Sequence, residues 1–369
     1  MEMYVGVDVH SKSSVFVIQD ADGKLVGRGE VPTSREGFER LCSQYRLPPG
    51  TKVALETGTV AFFVARELSR LRLAPVVVDA HEVRVKAHRP TQKSDRRDAL
   101  ELCEGIRRNS YRTIVHVPPL EIGQLRETLS RRRHFVRLQT SEVNAAKRLL
   151  RSAGLGQLAR SLGSEAGWEK LEESLRKKDG TLAMYIQQHR AVWQSAREQV
   201  EALEQALELQ QVPFAEQLER LQTVPGVGPI VAATAVAVFS NASRFPTAKH
   251  AASYGGLVPS THQSGDRDRH GKITKKGSGE LRAMLCEAAH HAARPKHPLN
   301  PYFRKLCAKH GYKMAVIAVA HRLCRILYAM LKNRTDFDER KLAVEKGPFR
   351  RTTEHLYRLK VVPTTGTNT

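Results

Sequence analysis

Apolar and polar positions alternate along Tyr4 to Val9, with Val5, Val7 and Val9 on one face and Gly6 and Asp8 on the other. A period of two defines a half-buried strand. Val15 to Gln19 and Lys24 to Val31 repeat the pattern after short polar stretches, so the first thirty residues predict a three-strand meander. Ser34 to Tyr45 then reads as a helix that stops at Pro48-Pro49-Gly50. A short strand, Lys52 to Glu56, leads through Gly58 into a helix from Val60 to Leu71, and Pro75 to Asp79 reads as a buried parallel strand.

Three antiparallel strands followed by strand and helix alternation predict a mixed α/β domain over residues 1–115, of the ribonuclease H (RuvC-like) type, with a flavodoxin-like sheet as the competing arrangement. Residues 116–220 are almost wholly helical. Trp193, Ala196, Val200, Leu203 and Leu207 recur at spacings of three and four, a seam of about two heptads that serves either an oligomeric coiled coil or an amphipathic helix packed within one chain. Residues 221–345 form a third, mainly helical region, and residues 346–369 lose periodicity and are expected to be a flexible tail.

Charge narrows the range of partners. The 369 residues carry 60 Lys and Arg against 38 Asp and Glu, a formal charge of +22. A foldable chain with this excess expects a polyanion. No uncharged apolar run reaches the length of a membrane span and nothing resembles a signal peptide, so no membrane role and a bacterial cytoplasmic location are expected. The five cysteines are scattered and form no Cys-x-x-Cys pair, which argues for reduced thiols and against zinc. Arg131, Arg132 and Arg133, with Arg137, Lys147, Arg148 and Arg151, make a basic helical surface suited to nucleic-acid backbone.

Four acids stand where a metal-dependent nuclease needs them. Asp8 and Glu56 end strands that a sheet can set side by side, and Asp95 and Asp98 share a face at the start of a helix near Ser94. Hard oxygen donors at this density suit two Mg²⁺ (or Mn²⁺) ions, roughly 3.5–4 Å apart, that activate the attacking oxygen and stabilise the leaving one. Asp79, at the end of its own strand, is a rival ligand. Gly226 and Gly228, in Val224-Pro225-Gly226-Val227-Gly228-Pro229, read as a helix-hairpin-helix phosphate contact or as a plain interhelical turn.

Ser264 lies in a polar loop without apolar anchors, among Arg267, Arg269, Lys272, Lys275 and Lys276. A serine among cations can attack a phosphodiester, because the cations stabilise pentacoordinate phosphorus. The spacing from Gly265 to Gly271-Lys272 fails the P-loop pattern. Ser278 is the expected N-cap of the next helix, and His262, His290 and His291 lack the companions of a metal motif.

In order along the chain, Val5-Gly6-Val7-Asp8-Val9-His10-Ser11-Lys12, Leu55-Glu56-Thr57-Gly58 and Lys93-Ser94-Asp95-Arg96-Arg97-Asp98-Ala99 are joined by the glycine hairpin, Ala252-Ser253-Tyr254-Gly255-Gly256-Leu257-Val258-Pro259, Gln263-Ser264-Gly265 and Gly271 to Gly277, then Leu281-Arg282 and Ala288-Ala289. This series resembles the DEDD transposases of bacterial insertion sequences related to Piv-type DNA invertases, which are bridge-RNA-guided serine recombinases. The resemblance implies that Asp8, Glu56, Asp95 and Asp98 bind metal and that Ser264 becomes covalently joined to DNA. It also implies donor and target DNA, a non-coding guide RNA and a homo-oligomer, dimer or tetramer, joined through the helical coil. Two departures stand out: Asp79-Ala80 replaces the family's Asn-Pro, and no Ala separates Glu56 from Thr57. The alternatives are a RuvC-like junction resolvase acting through metal-activated water, and a non-catalytic nucleic-acid-binding scaffold.

Overall fold

The structure, a computed structural model, describes residues 2–86, 94–176, 179–264 and 267–343, except for the side chains of residues 161 and 261–270. The chain divides into two compact units between residues 119 and 120.

The first unit is a five-stranded sheet in the order β3-β2-β1-β4-β5. Strands β1 (Met3–Val9), β2 (Ser13–Asp20) and β3 (Leu25–Pro32) form the expected antiparallel meander. Strands β4 (Lys52–Glu56) and β5 (Ala74–Val78) extend it in parallel on the other side of β1. The antiparallel half excludes a flavodoxin-like sheet, whose strands are parallel. Helices α1 (Arg35–Tyr45) and α2 (Ala61–Arg70) cover one face, where Val5, Val7, Val53 and Leu55 are buried with Phe38, Leu41, Val64 and Leu68. On the opposite face Tyr4, Ala54 and Val78 pack with Val83 of α3 (Ala80–Lys86) and with Ala99, Leu102, Cys103 and Ile106 of α4 (Asp95–Arg107). The unit runs on to residue 119 because Val115 donates its N–H to Val77 and, with Val117, packs against the first core.

The second unit is built on two long antiparallel helices, α5 (Leu120–Ser152) and α7 (Gly180–Gln211). Its smaller core encloses Ala146 and Leu150 of α5, Trp168 and Leu171 of α6 (Glu165–Arg176), and Leu182, Ile186 and Trp193 of α7. The larger core takes Leu125 and Leu129 of α5 and Leu207 of α7, and closes over α8 (Ala215–Gln222), α9 (Pro229–Phe239), α10 (Ala248–Tyr254), α11 (Gly279–His290), α12 (Asn300–His310) and α13 (Tyr312–Asn333). Residues 120–343 therefore form one unit with two cores, without a break near residue 220. Of the heptad positions, Trp193, Ala196, Val200 and Leu207 are buried and Leu203 is half-buried; Trp193 packs against Trp168 of α6 and Leu207 enters the larger core, both within the same chain. The intramolecular alternative therefore accounts for the heptads.

Among the described residues one helix, α13, is long and apolar enough to cross a membrane by length and composition. It is a core helix, with Val319, Ala320, Leu323, Cys324 and Leu327 fully buried among α10, α11 and α12.

Candidate active site

Gly6 sets the geometry of the acidic site. It is on the α4 face of β1, and a Cβ there would lie 2.0 Å from the Ala99 carbonyl oxygen and 2.4 Å from the Cys103 nitrogen. Only glycine lets the helix backbone rest on the strand at this distance. The seat is fixed on two sides: Cys103 Sγ donates to the Tyr4 carbonyl at 3.2 Å, and Gln19 Nε2 donates to Glu104 Oε1 at 2.9 Å. Burial pushes the Cys103 thiol up to about 12, so it stays protonated and serves as packing. With Ala99 against Gly6, the first turn of α4 reaches the strand end two residues further on, which is Asp8.

The result is a cluster in which ligand atoms of Asp8, His10 and Asp95 all lie within 4.8 Å of one another. His10 Nε2 is 3.3 Å from Asp8 Oδ2 and 3.4 Å from Asp95 Oδ2. The Asp8 side chain is 17% exposed and that of Asp95 57%, so the site is buried at the strand and open at the helix. Glu56 follows Leu55, the partner of Val7 in the β1–β4 register, and belongs to the same face as Ala54. Asp98 is one turn along α4, half-buried. Glu56 and Asp98 flank the cluster without joining it. His10 was not singled out from sequence; the only available signal was its place two residues after a strand-end aspartate.

Asp79, the rival ligand, is an N-cap: its Oδ1 accepts the N–H of His81 at 3.0 Å and of Glu82 at 3.2 Å, starting α3. Asp79 thus starts a helix and is not among the residues grouped with Asp8.

The other expected contacts lie in the second unit. The segment read as an open loop is an antiparallel ribbon, β6 (Pro259–Ser264) and β7 (Arg267–Ile273), with Ser264 paired to Arg267 and His262 to Arg269. Backbone pairing, which needs no apolar side chain, explains why the sequence pattern missed it. The side chains of Ser264, Arg267 and Arg269 lie outside the described residues. The ribbon base is clamped by Thr274 N–H to Val258 O at 2.9 Å and Ser278 N–H to Tyr254 O at 2.9 Å. Gly277, at φ +79°, fits there because a Cβ would fall 2.0 Å from the Tyr254 oxygen. Lys272, Lys275 and Lys276 are exposed beside this clamp, and Ser278 caps α11 through the Leu281 N–H at 3.2 Å.

In the glycine hairpin, Gly226 (φ +84°) faces inward, where a Cβ would meet His291 at 2.9 Å, while Gly228 opens to free space at the start of α9. The arginine run is partly neutralised within the chain: Arg131 pairs with Glu127, Arg132 with Glu204 and Arg133 with Glu280. Lys147 is half-buried and Arg148 exposed. Further along α5, His134, Arg137, Ser141, Asn144, Arg148 and Arg151 are exposed at alternating spacings of three and four, a carboxylate-free stripe on one face. His290 Nδ1 is hydrogen-bonded to the Tyr312 hydroxyl at 2.8 Å.

An acidic site at strand ends, in a mixed α/β unit followed by a helical one, is consistent with a DEDD-type transposase. The family model described as a DEDD "Transposase" of the IS110 group matches residues 5–154, and the "Transposase IS116/IS110/IS902 family" model matches residues 218–306. A probable family 20 transposase of Pseudomonas aeruginosa is 28% identical over 79% of this chain and 87% of its own length. The transposase for insertion sequence element IS1111A of Coxiella burnetii is 27% identical over 67% of this chain and 69% of its own. The pilin gene-inverting protein of Moraxella lacunata is 34% identical over 32% of this chain and 38% of its own. The chain belongs to the IS110/IS116/IS902 family of insertion-sequence transposases, enzymes that cut and rejoin DNA.

Proposed function

We propose that this transposase moves its element by phosphoryl transfer to Ser264, guided by a structured bridge RNA that pairs with donor and target DNA. The observation that carries the chemistry is the convergence of Asp8 and Asp95 at the N-terminus of α4, with Glu56 and Asp98 alongside. Carboxylate oxygens of this kind fit Mg²⁺ or Mn²⁺, and Asp8, Glu56, Asp95 and Asp98 are the residues to hold one or two such ions. When bound, the metal neutralises charge on the attacked phosphate. Ser264 Oγ forms a bond to phosphorus as the bridging DNA oxygen leaves, and the serine proton ends on that oxygen. Arg267, Arg269, Lys272, Lys275 and Lys276, on and beside the ribbon, supply cations for the phosphate. The start of α9 at Gly228, with open space around it, and the turn at Gly226 serve a neighbouring backbone phosphate.

Base pairing supplies sequence choice, so the protein needs mainly backbone contacts, and the exposed α5 stripe offers them. The homo-oligomer, dimer or tetramer, draws on α7 surface left over from the seam: Met184, Tyr185, Val192 and Leu209 remain exposed. The working compartment is the cytoplasm, at the nucleoid. Incubating protein, element RNA, DNA and Mg²⁺ should give a Ser264-linked DNA adduct that Ser264→Ala abolishes. Undiminished cutting by Ser264→Ala would instead establish hydrolysis by metal-activated water, as in a junction resolvase. If Asp8→Ala and Asp98→Ala left every activity intact, the protein would be a non-catalytic scaffold.

A further inference from the structure

His10 is a half-exposed side chain whose ring nitrogen is turned to two carboxylates. Its backbone is pinned: the N–H donates to Ser13 O at 3.1 Å, and the carbonyl accepts from Thr33 Oγ1 at 2.8 Å. Thr33 Oγ1 is itself 2.8 Å from the hydroxyl of the buried Ser14. The side chain is thus aimed from a fixed base, and Nε2 sits between two carboxylates at nearly equal separations of 3.3 and 3.4 Å. A charge-assisted N–H···O⁻ bond closes to about 2.7–2.9 Å, so both separations are long for one, and a single ring N–H reaches the two carboxylates only as a shared, weaker bond. Neighbouring donors around a six-coordinate ion with bonds of about 2.1 Å are about 3 Å apart. The three atoms are therefore spaced like adjacent ligands.

We propose that His10 is a third ligand of the metal held by Asp8 and Asp95, and that its imidazole makes the centre favour Mn²⁺ over Mg²⁺. The inference rests on the metal reading above. Mg²⁺ holds to oxygen donors in near-ideal octahedra, so a nitrogen gives it little. An imidazole nitrogen is a softer donor than a carboxylate oxygen, and Mn²⁺, although the weakest binder of the first-row transition ions, accepts it more readily than Mg²⁺ does. His10 thus raises Mn²⁺ affinity and leaves Mg²⁺ affinity nearly unchanged.

Mn²⁺ binding to the full-length protein, followed by electron paramagnetic resonance with Mg²⁺ as competitor, tests this without any turnover. Bound Mn²⁺ should show nitrogen modulation in the electron spin echo, absent in His10→Ala and His10→Asn. In those variants Mg²⁺ should displace Mn²⁺ at concentrations lower by at least about tenfold. Asp8→Asn separates the two layers of the reading. Mn²⁺ bound by wild type, lost in Asp8→Asn, yet showing no nitrogen modulation would overturn the role of His10 alone. If wild type bound no Mn²⁺, or Asp8→Asn bound it equally well, the metal centre itself would fall. Two different substitutions at His10, each checked by circular dichroism, separate ligand loss from misfolding.

Discussion

Gly6→Ala isolates the contact that seats α4 on the sheet. The added Cβ would lie 2.0 Å from the Ala99 oxygen, 2.4 Å from the Cys103 nitrogen and 2.9 Å from the Cys103 Cβ, whereas ordinary contact begins at 3.4 Å. Relief requires α4 to rise by about 1.4 Å, because two of the three obstacles are backbone and cannot rotate away. Overpacking of this size costs about 1–3 kcal/mol, and the rigid obstacles place it at the upper end. For a unit of this size that is a fall in Tm on the order of 10 °C. The same displacement carries Asp95, one turn before Ala99, away from Asp8 and opens the 3.3 and 3.4 Å separations at His10. Misplacement of about 1 Å costs roughly a hundredfold in rate. Calorimetry and strand transfer on Gly6→Ala should therefore fall together. Gly58→Ala, which meets nothing within 4 Å, should leave Tm in place. A Gly6→Ala protein with unchanged Tm and activity would refute the seating argument.

Three further outcomes follow. Glu82 accepts hydrogen bonds from Lys86 and from the Arg112 and Thr113 N–H groups, which lower its carboxyl from an ordinary 4.5 to about 2. Its contribution is thus full above pH 4.5 and is lost as pH falls through about 2, so Glu82→Gln should flatten the acid limb of the first unit's denaturation curve. Tyr328→Phe removes the buried 2.7 Å bond to the Phe245 carbonyl and should cost about 1–3 kcal/mol in urea unfolding. Combined Arg137→Gln, Arg148→Gln and Arg151→Gln should lower the slope of log affinity against log salt for RNA or DNA by up to about 3, while the ion-paired Arg132→Gln changes it little.

What the sequence made legible was local. The period-two alternation of β1 set Asp8 opposite Val7, and the i, i+3 spacing set Asp95 and Asp98 on one helix face, so the acids could be read before the fold was known. His10 was invisible because its meaning depends on Asp95, which reaches it only through the packing of Ala99 on Gly6. The arginine run looked like free charge because Glu204 and Glu280, which pair with Arg132 and Arg133, are remote in sequence. The heptads left oligomeric and intramolecular packing open, since both present the same apolar period. The ribbon at Ser264 carries little hydrophobic alternation, so its strands are defined by backbone pairing alone.

The antiparallel pair α5 and α7 enters one core at Leu129 and Leu207 and the other at Ala146 and Trp193. Between those anchors α5 rises roughly 25 Å. Ties between Arg132 and Glu204 and between His189 and Glu142 hold the two rods in register. A pair fixed at both ends acts as a ruler. Lengthening one rod alone would tear an anchor out of its core, so size changes in this arm can be tolerated only as matched insertions in both helices. Such paired changes would alter the spacing between the two cores in steps, without altering either core.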